Sequence, residues 1–420
     1  MTARICVVTS GHLSTCPRML KAADALADAG HAVRVVSTRY IDWAMRADAE
    51  VRERRRGRWT WTPVDYSPAT GRRTRLESGL RRKAFHALAR ALGAGRCPPA
   101  VAARASSRVH GELVRAALAE PADLFYGGTS GALAATADAA ARRGVPCALD
   151  LEDFHTAEQE DGPAARIAHA LVGRVERAVL PRAAFLTAAS AAIARAYTEA
   201  YDVAPIVVHN TFPLPPVPPD LGPGDSPGLR CYWFSQTIGP GRGLEDALRA
   251  MGRADLPGEI HLRGRAGDGY VDRLRALAGE AAPRVRLVHH DPVAPDLVPA
   301  SCAGYDVGLS LEQDRVKNRA LCLTNKACTY VLAGLPVALT RTPGHEAFAA
   351  DLGPGALVCR PGDVDALAAG FTRWARDRRL HGQAKVASWR AAERRWHWEH
   401  PAERGALLDA VARTLARSNP

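Results

Sequence analysis

The stretch from Tyr305 to Glu346 constrains the fold more than any other part of the chain. It begins with a short apolar run over 306–311, passes through a polar and basic connection, and becomes apolar again over 323–340. Short, unbroken apolar runs are typical of parallel strands that are covered on both faces. Asn325 is a good helix N-cap, and Gly334, shortly before a proline, is a good helix stop. The pattern therefore predicts a strand, a loop, a helix and a second strand of a parallel α/β sheet.

The amino end of this predicted helix is a candidate anion site. Ligands of open α/β sheets bind at the carboxyl ends of the strands, where a helix N-terminus offers free backbone amides. Lys326 places a positive charge at that end, although the helix dipole alone would disfavour it there. We therefore expect an anion such as a diphosphate to bind beside Thr324, Asn325 and Lys326.

The polar, glycine and proline residues of this stretch also follow a specific spacing. They are Ser310, Glu312, Asn325, Lys326, Tyr330, Gly334, Pro336 and Val337. This spacing resembles the donor-binding motif of the GT-B glycosyltransferases of the retaining family-4 type. The resemblance implies that a nucleoside-diphosphate sugar binds here, that Lys326 assists catalysis, and that Glu312 orients the sugar or the nucleotide. Thr329, which we also assign to donor binding, stands where the family usually has the glutamate that binds the ribose.

Strand and helix patterns alternate along the rest of the chain and divide it into two α/β domains. A chain of 420 residues is too long for one ordinary core. We predict Rossmann-like, doubly wound domains over 1–212 and 229–384, and the resemblance implies that the first binds the acceptor and the second binds the nucleotide-sugar. Between them, the proline-rich segment 213–228 can hold neither a helix nor a central strand. The resemblance implies that the domains face each other across a cleft and that helices over 385–420 pack back on the N-terminal domain.

A glycine-rich loop follows the first predicted strand of the second domain. Arg242 in this loop matches the family's basic residue that holds the donor diphosphate, and arginine can bind phosphate through two parallel hydrogen bonds. The family's other basic residue, nearer the strand end, is replaced here by Gln236 or Thr237. The resemblance assigns a catalytic role to Arg242 and donor binding to Gly239, Arg242, Gly243 and Arg265.

The first domain supplies candidates from two strand ends. By resemblance, the loop after the first strand faces donor phosphate and acceptor, which assigns Gly11 to the donor and His12 and Arg18 to the acceptor. Glu152 and His155 follow a later strand, where family members place a histidine that contacts the transferred sugar, so we assign both to catalysis. The residues alone also fit a second interpretation, in which the acids near Glu152 are favoured by a helix dipole.

Composition restricts the remaining function classes. The nine cysteines form no Cys-x-x-Cys pair, which favours free thiols in a reducing cytoplasm over a metal site or a disulfide framework. No apolar run reaches the roughly 20 residues that span a bilayer, and the amino end lacks a signal-peptide pattern. The resemblance, together with this composition, implies a cytoplasmic enzyme of polysaccharide biosynthesis that transfers sugar to a glycan, a lipid-linked saccharide or a small molecule, without cofactor or metal. A sugar-nucleotide epimerase on the same plan and a non-catalytic sugar-nucleotide binder remain as alternatives.

The formal net charge of +12 is concentrated in two basic segments, Arg52–Arg58 and Arg72–Lys83. Apolar residues recur at helical spacing between Leu76 and Leu92, among further arginines. This pattern predicts a basic helix that either lies on an anionic membrane surface or is a solvated surface helix. No recognised nucleic-acid motif accompanies the charge, so we do not expect DNA or RNA as a partner. Nothing in the pattern indicates an oligomeric state.

Overall fold

The computed structural model of the chain describes residues 2–222 and 228–418. For Ser418 it describes the backbone only. These residues form two compact units. Unit 1 runs from the amino end to His209 and resumes at Arg404, whereas unit 2 comprises Asn210–Glu403. No helix in the described part of the chain is both long and apolar enough to cross a lipid bilayer.

Unit 1 is built on a seven-stranded sheet in which every paired neighbour is parallel. Its strands are β1 (Arg4–Thr9), β2 (Ala32–Arg39), β3 (Thr60–Asp65), β4 (Leu124–Gly128), β5 (Cys147–Leu151), β6 (Phe185–Ala188) and β7 (Ile206–Val207). The strand order is β3-β2-β1-β4-β5-β6-β7. From β1 the chain adds strands first on one side (β2, β3) and then, starting with β4, on the other side. The carboxyl ends of the neighbouring parallel strands β1 and β4 are the point where such sheets bind ligands.

The helices of unit 1 follow the strands in the alternation that parallel pairing requires. Between β1 and β7 they are α1 (Pro17–Asp28), α2 (Asp42–Arg54), α3 (Arg72–Ala91), α4 (Pro99–Ser106), α5 (His110–Leu118), α6 (Leu133–Arg143), α7 (Pro163–Val179) and α8 (Ala191–Tyr201). The strands β4 and β5 are buried along their whole length. This burial explains why their sequences are almost entirely apolar rather than alternating.

Unit 2 repeats the plan with six parallel strands. They are β8 (Leu229–Ile238), β9 (Gly258–Ala266), β10 (Val285–His290), β11 (Val307–Ser310), β12 (Val337–Thr340) and β13 (Ala356–Cys359). The order is β10-β9-β8-β11-β12-β13, so the side on which the chain adds strands changes between β8 and β11. The carboxyl ends of these two strands are therefore the ligand-binding end expected for unit 2.

Helices cover both faces of the second sheet. They are α9 (Leu244–Arg253), α10 (Tyr270–Ala281), α11 (Lys317–Leu321), α12 (Asn325–Leu332), α13 (Glu346–Leu352), α14 (Val364–Arg376) and α15 (Arg378–Arg394). Side chains of β8 alternate between the two faces, as the strand period requires. Cys231 and Trp233 join the core beneath α9 and α10, whereas Tyr232 joins the core beneath α12.

The C-terminal segment is divided between the two units. α15 packs within unit 2, because Trp389, Ala391 and Ala392 belong to its core. A π-helical turn over Pro401–Gly405 leads into α16 (Ala406–Ser418), which lies against α1 and β6 of unit 1. Within 385–420, where we expected helices that pack back on the N-terminal domain, the chain passes from unit 2 to unit 1 between Glu403 and Arg404.

β3 and α11 are among the elements that the sequence analysis did not predict. β3 contains Pro63, which lacks an amide donor, but the strand lies at the sheet edge and pairs only with β2, where proline is tolerated. The short helix α11 interrupts the basic connection after β11. The predicted linker has no helix or strand over 213–222, and its part at 223–227 lies outside the described residues.

Candidate functional site

Three charged side chains meet at the carboxyl end of the second sheet. Glu312 follows β11, Arg242 lies in the loop after β8, and Lys326 is in the first turn of α12. One carboxylate oxygen of Glu312 lies 2.6 Å from Nη1 of Arg242, and the other lies 2.8 Å from Nζ of Lys326. The Glu312 side chain is 1% exposed and that of Lys326 is 10% exposed. The structure thus brings together three of the residues that the sequence assigned to donor binding.

The electrostatics of this cluster keep the carboxyl group ionised. Burial alone would raise the pKa of Glu312, but the charges of Lys326 and Arg242 and their hydrogen bonds lower it to about 2. Burial lowers the pKa of Lys326, and the neighbouring Arg242 acts in the same direction, while Glu312 opposes both. With both cations charged, the cluster carries one positive charge that Glu312 does not balance. That charge lies at the amino end of α12, where free amides also favour an anion.

Two glycines allow the backbone segments of the cluster to pack closely. Gly243 has φ +67°, and a Cβ added there would lie 2.4 Å from the carbonyl oxygen of Leu311, directly before Glu312. A Cβ on Gly308 would lie 2.2 Å from the ring of Tyr330, so α12 approaches β11 only because this position is glycine. The hydroxyl of Tyr330 then donates to the carbonyl oxygen of Leu309 at 3.1 Å.

The start of α12 is capped by Thr324 rather than by Asn325, which the sequence pattern favoured. Oγ1 of Thr324 accepts from the amide of Ala327 at 3.4 Å and shares a 2.7 Å hydrogen bond with Oγ of Ser310. The cap therefore also connects the helix to the end of β11. A helix that starts at Asn325 places Lys326 in its first turn, beside the free amides.

A buried histidine, His345, completes the polar surroundings of this strand end. Its Nδ1 donates to the carbonyl oxygen of Thr340 at 2.9 Å, and its Nε2 lies 3.5 Å from Oγ of Ser310. Burial lowers the pKa of His345, so the ring is neutral and Nε2 can accept a hydrogen bond. The sequence analysis did not single out this residue, although it lies directly after a Pro-Gly turn at a strand end.

The other donor-binding candidates of unit 2 occupy different positions. Thr329 is fully buried, and its hydroxyl donates to the carbonyl oxygen of Asn325 at 2.7 Å, one turn earlier in the same helix. Its side chain is thus directed into the helix rather than toward solvent. Gly239 lies in the loop after β8, and Arg265 lies near the end of β9, in register with Thr237 of β8. Burial lowers the pKa of Arg265.

In unit 1, the buried side chain of His12 forms hydrogen bonds within the protein. Its ring is 0% exposed, and Nδ1 lies 2.8 Å from Oδ2 of Asp48 in α2. Its Nε2 accepts from the amides of Tyr40 and Ile41 at 3.1 and 3.2 Å. Both ring nitrogens are therefore used in connecting the loop after β1 to α2, and neither is left for an acceptor. The neighbouring Gly11 is also tightly packed, since an added Cβ would lie 2.5 Å from Sγ of Cys16.

Arg18 also stabilises the fold of unit 1. Its guanidinium donates to both carboxylate oxygens of Asp150, with two of these contacts at 2.7 Å, and to the carbonyl oxygen of Val208. Asp150 further accepts from the hydroxyl groups of Tyr126 and Thr187. Because Arg18 and Asp150 are both buried, this network joins α1 to the ends of β4, β5 and β6. The acceptor role that we assigned to Arg18 would require it to leave these partners.

Glu152 and His155 lie together after β5. Nδ1 of His155 is 2.5 Å from Oε1 of Glu158, and its Nε2 is buried without a hydrogen-bond partner among the described residues. Burial would lower the pKa of His155, but Glu158 raises it to about 9, so the ring is an imidazolium with a donor available at Nε2. Burial and the neighbouring Asp153 raise the pKa of Glu152 to about 7. A carboxyl group of that pKa can exchange a proton near neutral pH.

A strained threonine marks the ligand-binding end of the first sheet. Thr129 follows β4 and has φ 75°, which a β-branched residue adopts only under constraint. Its Oγ1 accepts from the amide of Ser10 at 3.1 Å and lies 2.8 Å from Oγ of Ser10, which follows β1. The hydrogen bonds therefore join the ends of β1 and β4, the neighbouring strands whose carboxyl ends form the expected ligand-binding point. The sequence signal was the glycine-rich turn over 127–131, but the residue itself was missed.

A cavity of about 660 Å³ lies elsewhere in unit 1. It is enclosed by α4, α6 and α7 near the start of β5, at the amino end of the strands, and its lining is dominated by alanines. None of the predicted site residues lines it. In the part of the chain that the structure describes, no group of three or more His, Cys, Asp or Glu side chains could hold a metal ion.

Comparison with solved structures identifies the architecture. Anabaena HepE in complex with UDP-glucose matches with a TM-score of 0.65 at 16% identity, over 99% of this chain and 100% of that one. The sucrose-phosphate synthase of Thermosynechococcus elongatus matches with a TM-score of 0.68 at 14% identity, over 99% and 100%. A point mutant of S. aureus TarM, in complex with fondaparinux, α-GlcNAc-glycerol and UDP, matches with a TM-score of 0.66 at 8% identity, over 99% and 100%. The chain has the GT-B fold.

At these identities the match establishes the GT-B fold and leaves the activity to the site residues. No protein-family model matches the sequence, and no curated protein sequence matches it. The prediction of two doubly wound α/β domains is confirmed by the two parallel sheets.

Proposed function

We propose that this GT-B chain is a glycosyltransferase that moves a sugar from a nucleoside-diphosphate sugar to an acceptor, with retention of the anomeric configuration. The cluster of Arg242, Glu312 and Lys326 carries the proposal. It combines two cations with the amino end of a helix, at the strand ends where an α/β sheet binds its ligand.

The chemistry that fits this cluster is stabilisation of a leaving diphosphate. When the bond between the anomeric carbon and the diphosphate oxygen breaks, its electron pair leaves with the diphosphate, and negative charge grows there. Lys326, Arg242 and the free amides of α12 would bind that charge more tightly in the transition state than in the ground state. The acceptor hydroxyl forms the new bond and passes its proton to the leaving phosphate. Glu312 would hold the two cations in place rather than contact the sugar.

In unit 1, we propose that His155 contacts the transferred sugar. Its Nε2–H is a buried donor without a partner among the described residues, and a sugar hydroxyl would satisfy it. Glu152, with a pKa of about 7, could accept a hydroxyl proton near neutral pH. We assign both residues to binding and orienting the sugar.

The solved structures suggest the first ligand to test. HepE is described in complex with UDP and with UDP-glucose, and TarM in complex with UDP. We therefore propose UDP-sugars as the donor class, needing no metal or cofactor, and a glycan, lipid-linked saccharide or small molecule as the acceptor. A role in polysaccharide biosynthesis in the cytoplasm, with peripheral attachment at the membrane, is consistent with that acceptor class.

A sugar-nucleotide binder without transferase activity is the second candidate, and Thr329 favours it. The hydroxyl of Thr329 is bonded to its own helix, so the ribose contact that the family obtains from a glutamate here would have to come from another residue. A binder would show nucleotide affinity without turnover of any sugar nucleotide.

Calorimetric titration with UDP, GDP and ADP, combined with hydrolysis of UDP-glucose, tests both candidates. We expect Lys326→Ala and Arg242→Ala each to lose ten- to a hundredfold in turnover, because charge-assisted contacts contribute roughly 1.5–3 kcal/mol. Arg249→Ala, on the outside of α9, is the matched control and should behave as wild type. Turnover of both site variants within a factor of two of wild type would refute the diphosphate assignment. Retention would be read from the anomeric signals of the product by NMR.

A further inference from the structure

Helix α3 exposes a line of large apolar side chains to solvent. The described residues contain six large apolar side chains that are this exposed. Three of them, Leu76 (68%), Leu80 (69%) and Leu88 (44%), lie on this helix, and a fourth, Leu92 (48%), is its C-cap. Ala84, also exposed, fills the remaining step of four residues. Isolated exposed leucines are ordinary, but a continuous apolar stripe marks a surface that binds something.

The same helix carries half of the net charge of the chain. Its 20 residues include seven basic residues and one acidic residue, a net charge of +6 out of +12. Arg82, Lys83 and Arg90 are exposed and make no ion pair or hydrogen bond with any residue that the structure describes. These side chains surround the leucine stripe with cations that have no counterion within the described protein.

The opposite face of α3 attaches the helix to unit 1. Ser78 and Ala89 are buried, and Arg81 forms an ion pair with Glu112 of α5. The guanidinium of Arg108 donates to the carbonyl oxygen of Arg75 at 2.5 Å. The helix is therefore a fixed part of the fold that presents its apolar stripe and its free cations outward.

We propose that α3 is a docking face for an anionic phospholipid bilayer. The leucines would insert at the boundary between headgroups and acyl chains, while Arg82, Lys83 and Arg90 would extend to the phosphates. A helix of 20 residues is about 30 Å long, so its axis can lie in the plane of the membrane along several headgroups. This inference deepens the membrane attachment given under the proposed function, but its test does not depend on the transferase activity, because binding to vesicles is measured without turnover.

Charge complementarity selects the bilayer among the partners that an apolar stripe could accept. A symmetric contact between two copies would bring two helices of net charge +6 together, which is unfavourable. A nucleic acid would bind the arginines but would leave the leucines exposed. Only an anionic surface with an apolar interior satisfies both features at once.

Sedimentation with vesicles of phosphatidylcholine, with and without about 30% phosphatidylglycerol, tests the proposal. We expect binding to the anionic vesicles at low salt that weakens as salt is added. Combining Leu76→Ser, Leu80→Ser and Leu88→Ser should reduce binding more than tenfold. Combining Arg82→Gln, Lys83→Gln and Arg90→Gln should reduce it by roughly a hundredfold, since each charge contributes about one factor of five.

Matched controls place the same changes elsewhere on the surface. Val217→Ser with Leu297→Ser removes two other exposed apolar side chains, and Arg195→Gln, Arg373→Gln and Arg413→Gln together remove three other exposed charges. Both controls should leave most of the vesicle binding intact. The proposal is overturned if wild type does not bind at low salt, or if the controls reduce binding as much as the α3 variants. It is equally overturned if light scattering shows a dimer that the leucine variant converts to monomer.

Discussion

Glu312 is the residue whose removal would reveal most about the cluster in unit 2. Its carboxylate lies between Arg242 and Lys326, so glutamine in its place leaves the buried Lys326 and the half-buried Arg242 without an anion. Breaking such a pair costs about 3–5 kcal/mol. We therefore expect Glu312→Gln to lower the free energy of unfolding by about 3 kcal/mol, and UDP to stabilise this variant more than it stabilises wild type. The reason is that the diphosphate replaces the missing negative charge.

Thermal unfolding with and without UDP measures both effects. Glu112→Gln is the matched control, because Glu112 is also a buried carboxylate beside two arginines, Arg81 and Arg115, but lies in unit 1. It should destabilise the protein without changing the response to UDP. A smaller UDP shift in Glu312→Gln than in wild type would show instead that Glu312 contacts the nucleotide.

His155 should make the stability of the protein depend on alkaline pH. Its pKa is raised from 6.5 to about 9, so the stabilisation is complete below pH 6.5 and is lost as the pH rises through 9. A shift of this size corresponds to about 3 kcal/mol. We expect wild type to lose this amount between about pH 6 and pH 10 relative to His155→Gln, as measured by urea unfolding. Parallel stability profiles for the two proteins would contradict the charged state assigned to His155.

At the scale of secondary-structure elements, the glycine before α9 decides where Arg242 lies. Gly243 and Gly269 both have φ +67° at the start of a helix, so alanine costs about 1 kcal/mol or more of backbone strain at either position. Only at Gly243 would the added Cβ also meet backbone, at 2.4 Å from the carbonyl oxygen of Leu311. We expect Gly243→Ala to weaken UDP binding at least tenfold by moving the loop, and Gly269→Ala to leave UDP binding unchanged. Calorimetric titration of both variants separates strain from displacement, and equal UDP affinities would refute the positioning role.

At the scale of the whole molecule, α16 should stabilise unit 1 although it follows unit 2 in the chain. Val411 is fully buried in this helix, whereas Arg413 is exposed on the same helix. Burying an unpaired carboxylate costs several kcal/mol, so Val411→Asp should speed hydrogen exchange in β1, α1 and β6 while β8–β13 keep their protection. Arg413→Asp should change neither unit. Faster exchange confined to unit 2 in the Val411 variant would contradict the division of the chain at Arg404.

Local patterns in the sequence were sufficient for the architecture. The apolar run over 306–311 contains β11, and the run over 323–340 contains α12 and β12. The stretch after Tyr305 indicated both the helix N-terminus and the lysine beside it. These features were predictable because strand burial, helix caps and glycine stops depend on residues that are close together in the sequence.

Tertiary structure alone decided the partners of the charged residues. Arg242 and Glu312 are 70 residues apart, and Arg18 and Asp150 are 132 residues apart, so no local pattern links them. The sequence assigned Arg18 and His12 to an acceptor, Glu312 to the sugar or nucleotide and Thr329 to the donor. The structure places all four in buried hydrogen bonds or ion pairs within the protein. The physical reason is that a charge or a hydroxyl becomes structural or available only when packing determines which groups surround it, and that packing is made by contacts distant in sequence.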